Sequence, residues 1–149
     1  MEITIHYFLQ VIVQLLLATF LGAFIGFERE FKRKRAGLQT YTLVSLGACV
    51  FTIVAFRLVD YHLGIVDTGR IIQAIAIGIG FIGGGVIFQR PSHIEGLTTA
   101  AGLWVAGAIG VAVGIRFYFL AILTTLFTIF VLLGLGSLEK RFFKKNNKT

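Results

Sequence analysis

The chain is poor in almost everything that a soluble enzyme or a disulfide-built scaffold requires. Its 149 residues include one cysteine, one proline, one methionine, one tryptophan and three histidines. A lone Cys49 makes no intrachain disulfide, so a disulfide framework is excluded, and no cysteine–histidine spacing suits zinc. Charged residues make up 14% of the chain, and only seven of them are acidic. No polar segment is long enough to bury a core of its own, so no soluble domain is expected. The first ten residues carry Glu2 and His6 but neither lysine nor arginine. Without a basic n-region, the first apolar run reads as a retained helix rather than a cleaved signal peptide.

What is abundant is apolar surface. The chain is 56% hydrophobic, with 15 phenylalanines and a mean hydropathy of +0.87. Runs of about 17 or more apolar residues without a central charge read as membrane spans. Five such runs occupy 5–27, 40–58, 71–88, 97–113 and 117–135. The expected fold is therefore an all-α integral membrane protein of about five transmembrane helices. Residues 1–137 form its membrane domain and 138–149 a basic tail. Only Gly114, Ile115 and Arg116 separate the last two runs, which read either as two helices or as one bent hairpin.

The net charge is +7, and its distribution carries more than its sum. Eleven of the 14 lysines and arginines follow the first run, follow the fifth, or sit at Arg90; Arg57, Arg70 and Arg116 are left for the other side. The positive-inside rule then places the N-terminus outside and the C-terminus in the cytoplasm, which an odd number of spans requires. Basic loops of this kind meet anionic headgroups. The bilayer is the expected partner, and nucleic acid is not. In this topology His6 and His62 lie outside and His93 inside, so they share no site.

Glycine is the second abundant residue, with 18 copies. It concentrates in 78–110, GIGFIGGGVIFQRPSHIEGLTTAAGLWVAGAIG, two apolar halves about a turn at Pro91. Glycine costs a helix about 1 kcal/mol against alanine, but small residues four apart let helix backbones approach closely in a bilayer. Three ladders have that spacing: Ala18, Gly22 and Gly26; Ala76, Gly80 and Gly84; Gly102, Ala106, Gly110 and Gly114. They predict close packing among helices 1, 3 and 4, with the fifth span peripheral. The same ladders serve packing between chains, so a homo-oligomer is a further expectation. A phosphate-cradling loop is excluded, because no lysine follows and the glycines lie within an apolar span. A filter of backbone carbonyls also needs glycines, but the ladder explains them with fewer assumptions.

Few residues remain as functional candidates. Glu28 and Arg29, beside Glu30, sit where the first span meets the basic loop. They read as a helix-locking or docking cluster, or as a solvated rim. Asp67 and Arg70 open the third span three residues apart, which suits a helix cap and an ion pair; alternatively they line an outward polar pocket with Arg57 and Asp60. Thr98 and Thr99 open the fourth span as hydroxyl caps. Trp104 is expected to fill space left by the glycines of the third span. No nucleophile, base and acid converge on one membrane level, and no cofactor motif is present, so neither catalysis nor a cofactor or metal is expected. The acids avoid the span centres, which counts against a magnesium path.

Four blocks together resemble a known family. They are GFEREFKRKRAGLQTYTLVSLGA at 26–48, DTGRIIQ at 67–73, GIGFIGGGVI at 78–87, and GLTTAAGLW at 96–104 followed by AIG at 108–110. In this order they resemble the MgtC/SapB family of bacterial inner-membrane proteins. Glu28, Arg29, Gly37, Leu38 and Thr40 fall on its recurring first-loop positions, and Asp67 and Arg70 on its Asp-x-x-Arg entry to the third span. Gln39 stands where the family commonly has arginine, and Thr98 where some members have asparagine. The chain reads as a short form, without the soluble C-terminal domain that some members carry. The resemblance implies a bacterial inner-membrane location and links to growth in low magnesium and survival in host cells. It also implies a regulatory activity, restraint of the membrane sector of the F-type ATP synthase, with an older label of magnesium transport as the alternative.

Overall fold

The computed structural model describes residues 2–60 and 67–135, with the side chains of residues 2–4, 59 and 60 excepted. His62 and the basic tail from 138 onward lie outside the described residues. Among the described residues, five helices are long and apolar enough to cross a membrane. They are α1 (Glu2–Phe31), α2 (Leu38–Asp60), α3 (Thr68–Gly85), α4 (Leu97–Gly114) and α5 (Tyr118–Phe130), the last extended by a π-helical turn, Val131–Leu135. Between α3 and α4 the chain forms a two-residue antiparallel hairpin, β1 (Phe88–Gln89) with β2 (Ile94–Glu95), pairing Phe88 with Glu95 and Gln89 with Ile94. The third helix thus stops at Gly85, and Phe88 belongs to the hairpin rather than to the span.

The helix ends explain the segmentation. At the end of α1 the Lys34 amide donates to the Arg29 carbonyl (3.0 Å) and the Arg33 amide to the Glu30 carbonyl (2.8 Å). At the end of α4 the Phe117 amide donates to Ala112 (2.8 Å) and the Arg116 amide to Val113 (2.9 Å). Both are Schellman closures, whose pivot adopts the left-handed conformation and is usually glycine. Here the pivots are Arg33 (φ 51°) and Arg116 (φ 65°). The second closure makes α4 and α5 two helices rather than one bent hairpin. A left-handed arginine costs roughly 1–2 kcal/mol, part of which glycine gives back by loosening the unfolded chain. Arg33→Gly should therefore raise unfolding stability in detergent by about 0.5–1 kcal/mol. A fall instead would mean that the Arg33 side chain holds the loop.

Helix α4 lies at the centre, with neighbours in all four other helices, and α2 is wedged between α1 and α4. This corrects the expected packing of helices 1, 3 and 4 about one another. The ladders of α1 and α4 both face α2. A Cβ on Gly22 would lie 2.8 Å from Ser45 Cβ, and one on Gly26 2.8 Å from Leu38 Cα. On α4, a Cβ at Gly102 would strike the Tyr41 hydroxyl and one at Gly110 the Ser45 carbonyl oxygen. The physical reason is polar. Tyr41, Ser45 and Cys49 recur every four residues along α2 and are fully buried. In hydrocarbon their donors need protein acceptors. Ser45 Oγ donates to the Ala18 carbonyl (2.9 Å), Tyr41 to the Thr99 carbonyl (3.1 Å) and Cys49 to the Gln14 carbonyl (3.9 Å). Only glycine-thin neighbours bring those carbonyls within reach.

The third ladder behaves differently. A Cβ at Gly78, Gly80, Gly84 or Gly85 would meet nothing within 4 Å. Helix α3 touches α4 through other residues, with Gly83 facing Ala100 and Ile79 filling the space where Gly107 lacks a side chain. Trp104 therefore does not fill a glycine gap in α3; the filling runs the other way, and Trp104 is 52% exposed.

Candidate functional site

The last turn of α1 carries charge inward. Glu28 and Arg29 are 8% and 3% exposed, at the end of the bundle where the basic loop lies. Arg29 reaches Glu28 at 3.5 Å and donates through Nη2 to Thr99 Oγ1 at 3.4 Å. Lys32, one turn on, places Nζ 2.7 Å from Glu28 Oε1 and donates to the Leu132 carbonyl in the π-helical turn at 3.0 Å. A single carboxylate is thus flanked by two cations, and the group ties α1 to α4 and to the end of α5. Neither Glu28 oxygen nor Arg29 Nε has a hydrogen-bond partner among the described residues. The Lys32 contact is a close ion pair, out of line for a hydrogen bond. Glu30 takes the opposite side of α1. It faces outward, and its Oε2 accepts from the Leu38 amide (3.1 Å) at the start of α2. Of three consecutive charges, two are locked inside and one caps the next helix.

Thr98 and Thr99 do not cap α4. The cap position is Gly96, left-handed at φ 92°, with no side-chain hydrogen bond. A Cβ there would collide with the Val86 carbonyl, so the hairpin closes onto α4 only through glycine. Thr98 is exposed, whereas Thr99 is buried and bonded through both its hydroxyl and its carbonyl. Asp67 does cap α3. Its Oδ1 accepts from the Gly69 amide (2.9 Å) and the Arg70 amide (3.4 Å), and Oδ2 lies 3.5 Å from Arg70 Nε. Both side chains are exposed. Arg57 is elsewhere, 3.4 Å over the Tyr7 ring and lining another cavity, so it does not share a pocket with Arg70.

Outside the membrane, Glu95 gathers the basic loop onto the hairpin. Arg35 donates to its Oε2, His93 Nε2 lies 3.1 Å from Oε1, and Arg90 Nε lies 3.9 Å away. The Arg35 hydrogen bond, then that of His93, holds the Glu95 carboxyl below the usual carboxylate range. Arg35 also stacks 4.3 Å over Phe88.

Two functional features escaped the sequence reading. Gln14, buried in the first span, donates through Nε2 to Val113 (3.1 Å) and Gly114 (2.7 Å), covering the last carbonyls of α4. Its signal was an amide deep inside an apolar run, one turn beyond Gln10. The other is the polar spine of α2, signalled by Tyr41, Ser45 and Cys49 at a spacing of four. Among the described residues no three His, Cys, Asp or Glu side chains cluster to hold a metal ion.

Buried charge at the end of the first span, an Asp-capped third helix and a glycine-rich hairpin of helices coincide with a family pattern matching residues 15–141, that of the MgtC family. The chain belongs to the MgtC family. It is 39% identical over 140 residues to YhiD of Escherichia coli K12, covering 91% of this chain and 65% of that protein. It is 38% identical to SapB of Bacillus subtilis, over 78% of this chain and 53% of SapB. To MgtC of Brucella abortus it is 42% identical, over 76% of this chain and 46% of that one. The chain thus spans between about half and two thirds of these relatives. No solved structure matches it.

Proposed function

We propose that this MgtC-family membrane protein is a regulator acting by helix–helix contact, with the glycine face of α3 as its docking surface. The partner proposed is the membrane sector of an F-type ATP synthase. One observation carries the reading. The glycines of α1 and α4 are used within the bundle, whereas Gly78, Gly80, Gly84 and Gly85 stand open. Open glycines in a helix cost about 1 kcal/mol each against alanine, a cost that a partner helix offsets by close packing. Beside them runs an apolar groove of about 980 Å³ between α2 and α3. ATP-driven proton pumping in inverted membrane vesicles tests the idea. Pumping should fall when the protein is present and recover with Gly84→Leu at matched expression. Pumping that ignores the protein would remove the proposed partner.

A second reading comes from the Escherichia coli relative, whose given name proposes magnesium transport. The buried carboxylate disfavours it here, since Glu28 lies between Arg29 and Lys32, whose charges repel a dication. Magnesium flux into proteoliposomes that disappears with Asp67→Asn would reverse this preference.

A further inference from the structure

We infer that the groove between α2 and α3 binds a phospholipid with an ethanolamine headgroup, its acyl chain between the helices and its headgroup on Asp67 and Arg70. The groove holds about 980 Å³ and is lined along α2 from Gln39 to Leu58 and along α3 from Arg70 to Ile82. At 1.5 Å per residue the α2 wall runs about 29 Å, close to the thickness of a hydrocarbon core. Between Gln39 and Thr40 at one end and Arg70 at the other, every lining residue is apolar. The groove stays open because α3 rests on α4, with Gly83 facing Ala100 and Ile79 filling the space at Gly107. It meets α2 at the floor, where Ala48 and Ile79 pack with Val44 and Ile75. Gly47 and Gly78 stand near the middle of the two walls, and a Cβ on either would meet nothing within 4 Å.

Walls of this kind offer water no partners, so hydrocarbon is the filling they accept. A lipid has the same layout as the groove, with charge at one end and an apolar length below. The chain of one leaflet descends about 15 Å, from the level of Arg70 to that of Gly47 and Gly78. The charges select the headgroup. Asp67 Oδ2 lies 3.5 Å from Arg70 Nε, and the two side chains are 60% and 85% exposed. A carboxylate beside a guanidinium complements a zwitterion. The guanidinium fork suits the phosphate, and Asp67 Oδ2 is placed to accept from an ammonium, Oδ1 being engaged in the helix cap. An ethanolamine ammonium carries three N–H donors. The choline nitrogen carries none, and a glycerol headgroup has no cation.

Native mass spectrometry of the full chain, released from a neutral detergent with equimolar dioleoyl phosphatidylethanolamine, phosphatidylcholine and phosphatidylglycerol, reads which lipid is retained. Phosphatidylethanolamine should be favoured about threefold or more over each of the others. Asp67→Asn keeps an oxygen for the cap and should erase the preference over phosphatidylcholine. Arg70→Gln should lower retention of all three lipids, because all carry the phosphate. Gly78→Phe puts bulk into the groove from an open position and should lower retention of all three about tenfold, with Tm unchanged or raised. Should Tm fall instead, Asp67→Asn decides, since it reads a ratio of headgroups within one folded protein. Equal retention of the three lipids overturns the inference, as does a preference for phosphatidylglycerol or an ethanolamine preference that survives Asp67→Asn. Retention that ignores Gly78→Phe places the lipid elsewhere, and retention of none leaves the groove to a helix of another protein; both overturn it. Gly80 and Gly84 do not line the groove. Gly84→Leu should therefore keep the lipid, so the outcome stands apart from the ATP synthase reading.

Discussion

Gly110→Leu should prevent the bundle from assembling, whereas Gly84→Leu should leave it intact. Both are glycines of four-residue ladders in apolar spans, and sequence does not distinguish them. At Gly110 the first atom of any side chain lands on the Ser45 carbonyl oxygen, with Ala48 Cβ 3.0 Å away. The obstacle is backbone, so no rotamer change relieves it. Helices α2 and α4 must separate, and the bond that Tyr41 makes to the Thr99 carbonyl is stretched with them. A single extra methylene in a packed core costs typically 1–3 kcal/mol, and a leucine at a helix crossing exceeds that range. At Gly84 the first side-chain atom meets no atom within 4 Å, and helix propensity favours the substitution by about 1 kcal/mol. Membrane yield and unfolding temperature in detergent measure the contrast. Equal stability of the two variants would show that the α2–α4 crossing is not the tight contact described here.

Glu28→Leu should destabilise the protein by about 3–5 kcal/mol, the usual cost of removing one partner from a buried ion pair. Arg29, 3% exposed, would keep its charge beside the Thr99 hydroxyl but without its carboxylate. Glu28→Leu combined with Arg29→Met should recover much of the loss, because well-packed apolar residues often replace buried pairs without penalty. A double-mutant cycle on unfolding free energy reads the coupling directly. Strict additivity of the two substitutions would mean that the charges do not act as a unit. Recovered stability without the proposed restraint of proton pumping would separate the structural role of the cluster from a functional one.

How far the sequence reached varies from residue to residue. Asp67 as the cap of α3 was legible, because capping is local: the oxygen reaches amides two and three residues ahead. Glu28 stood out as an acid at an apolar boundary where topology needs none. Its burial was not legible, since the cations that flank it, Arg29 and Lys32, are tied to Thr99 and Leu132, about 70 and 100 residues along the chain. The cap expected at Thr98 and Thr99 went to Gly96, because the hairpin presses the Val86 carbonyl against that position. Trp104 was assigned to a gap that Ile79 and Gly107 close from the other side.

By itself the sequence determined that five helices cross the membrane and roughly where each begins and ends. Hydropathy and capping act over one helix at a time, and the bilayer enforces them regardless of neighbours. Which ladder meets which helix was decided only in the tertiary structure. Helix–helix choice in lipid has little hydrophobic drive behind it and falls to close backbone approach and buried hydrogen bonds. Three ladders of equal spacing were therefore equivalent on paper. The polar spine of α2 drew two of them inward and left the third, on α3, facing outward.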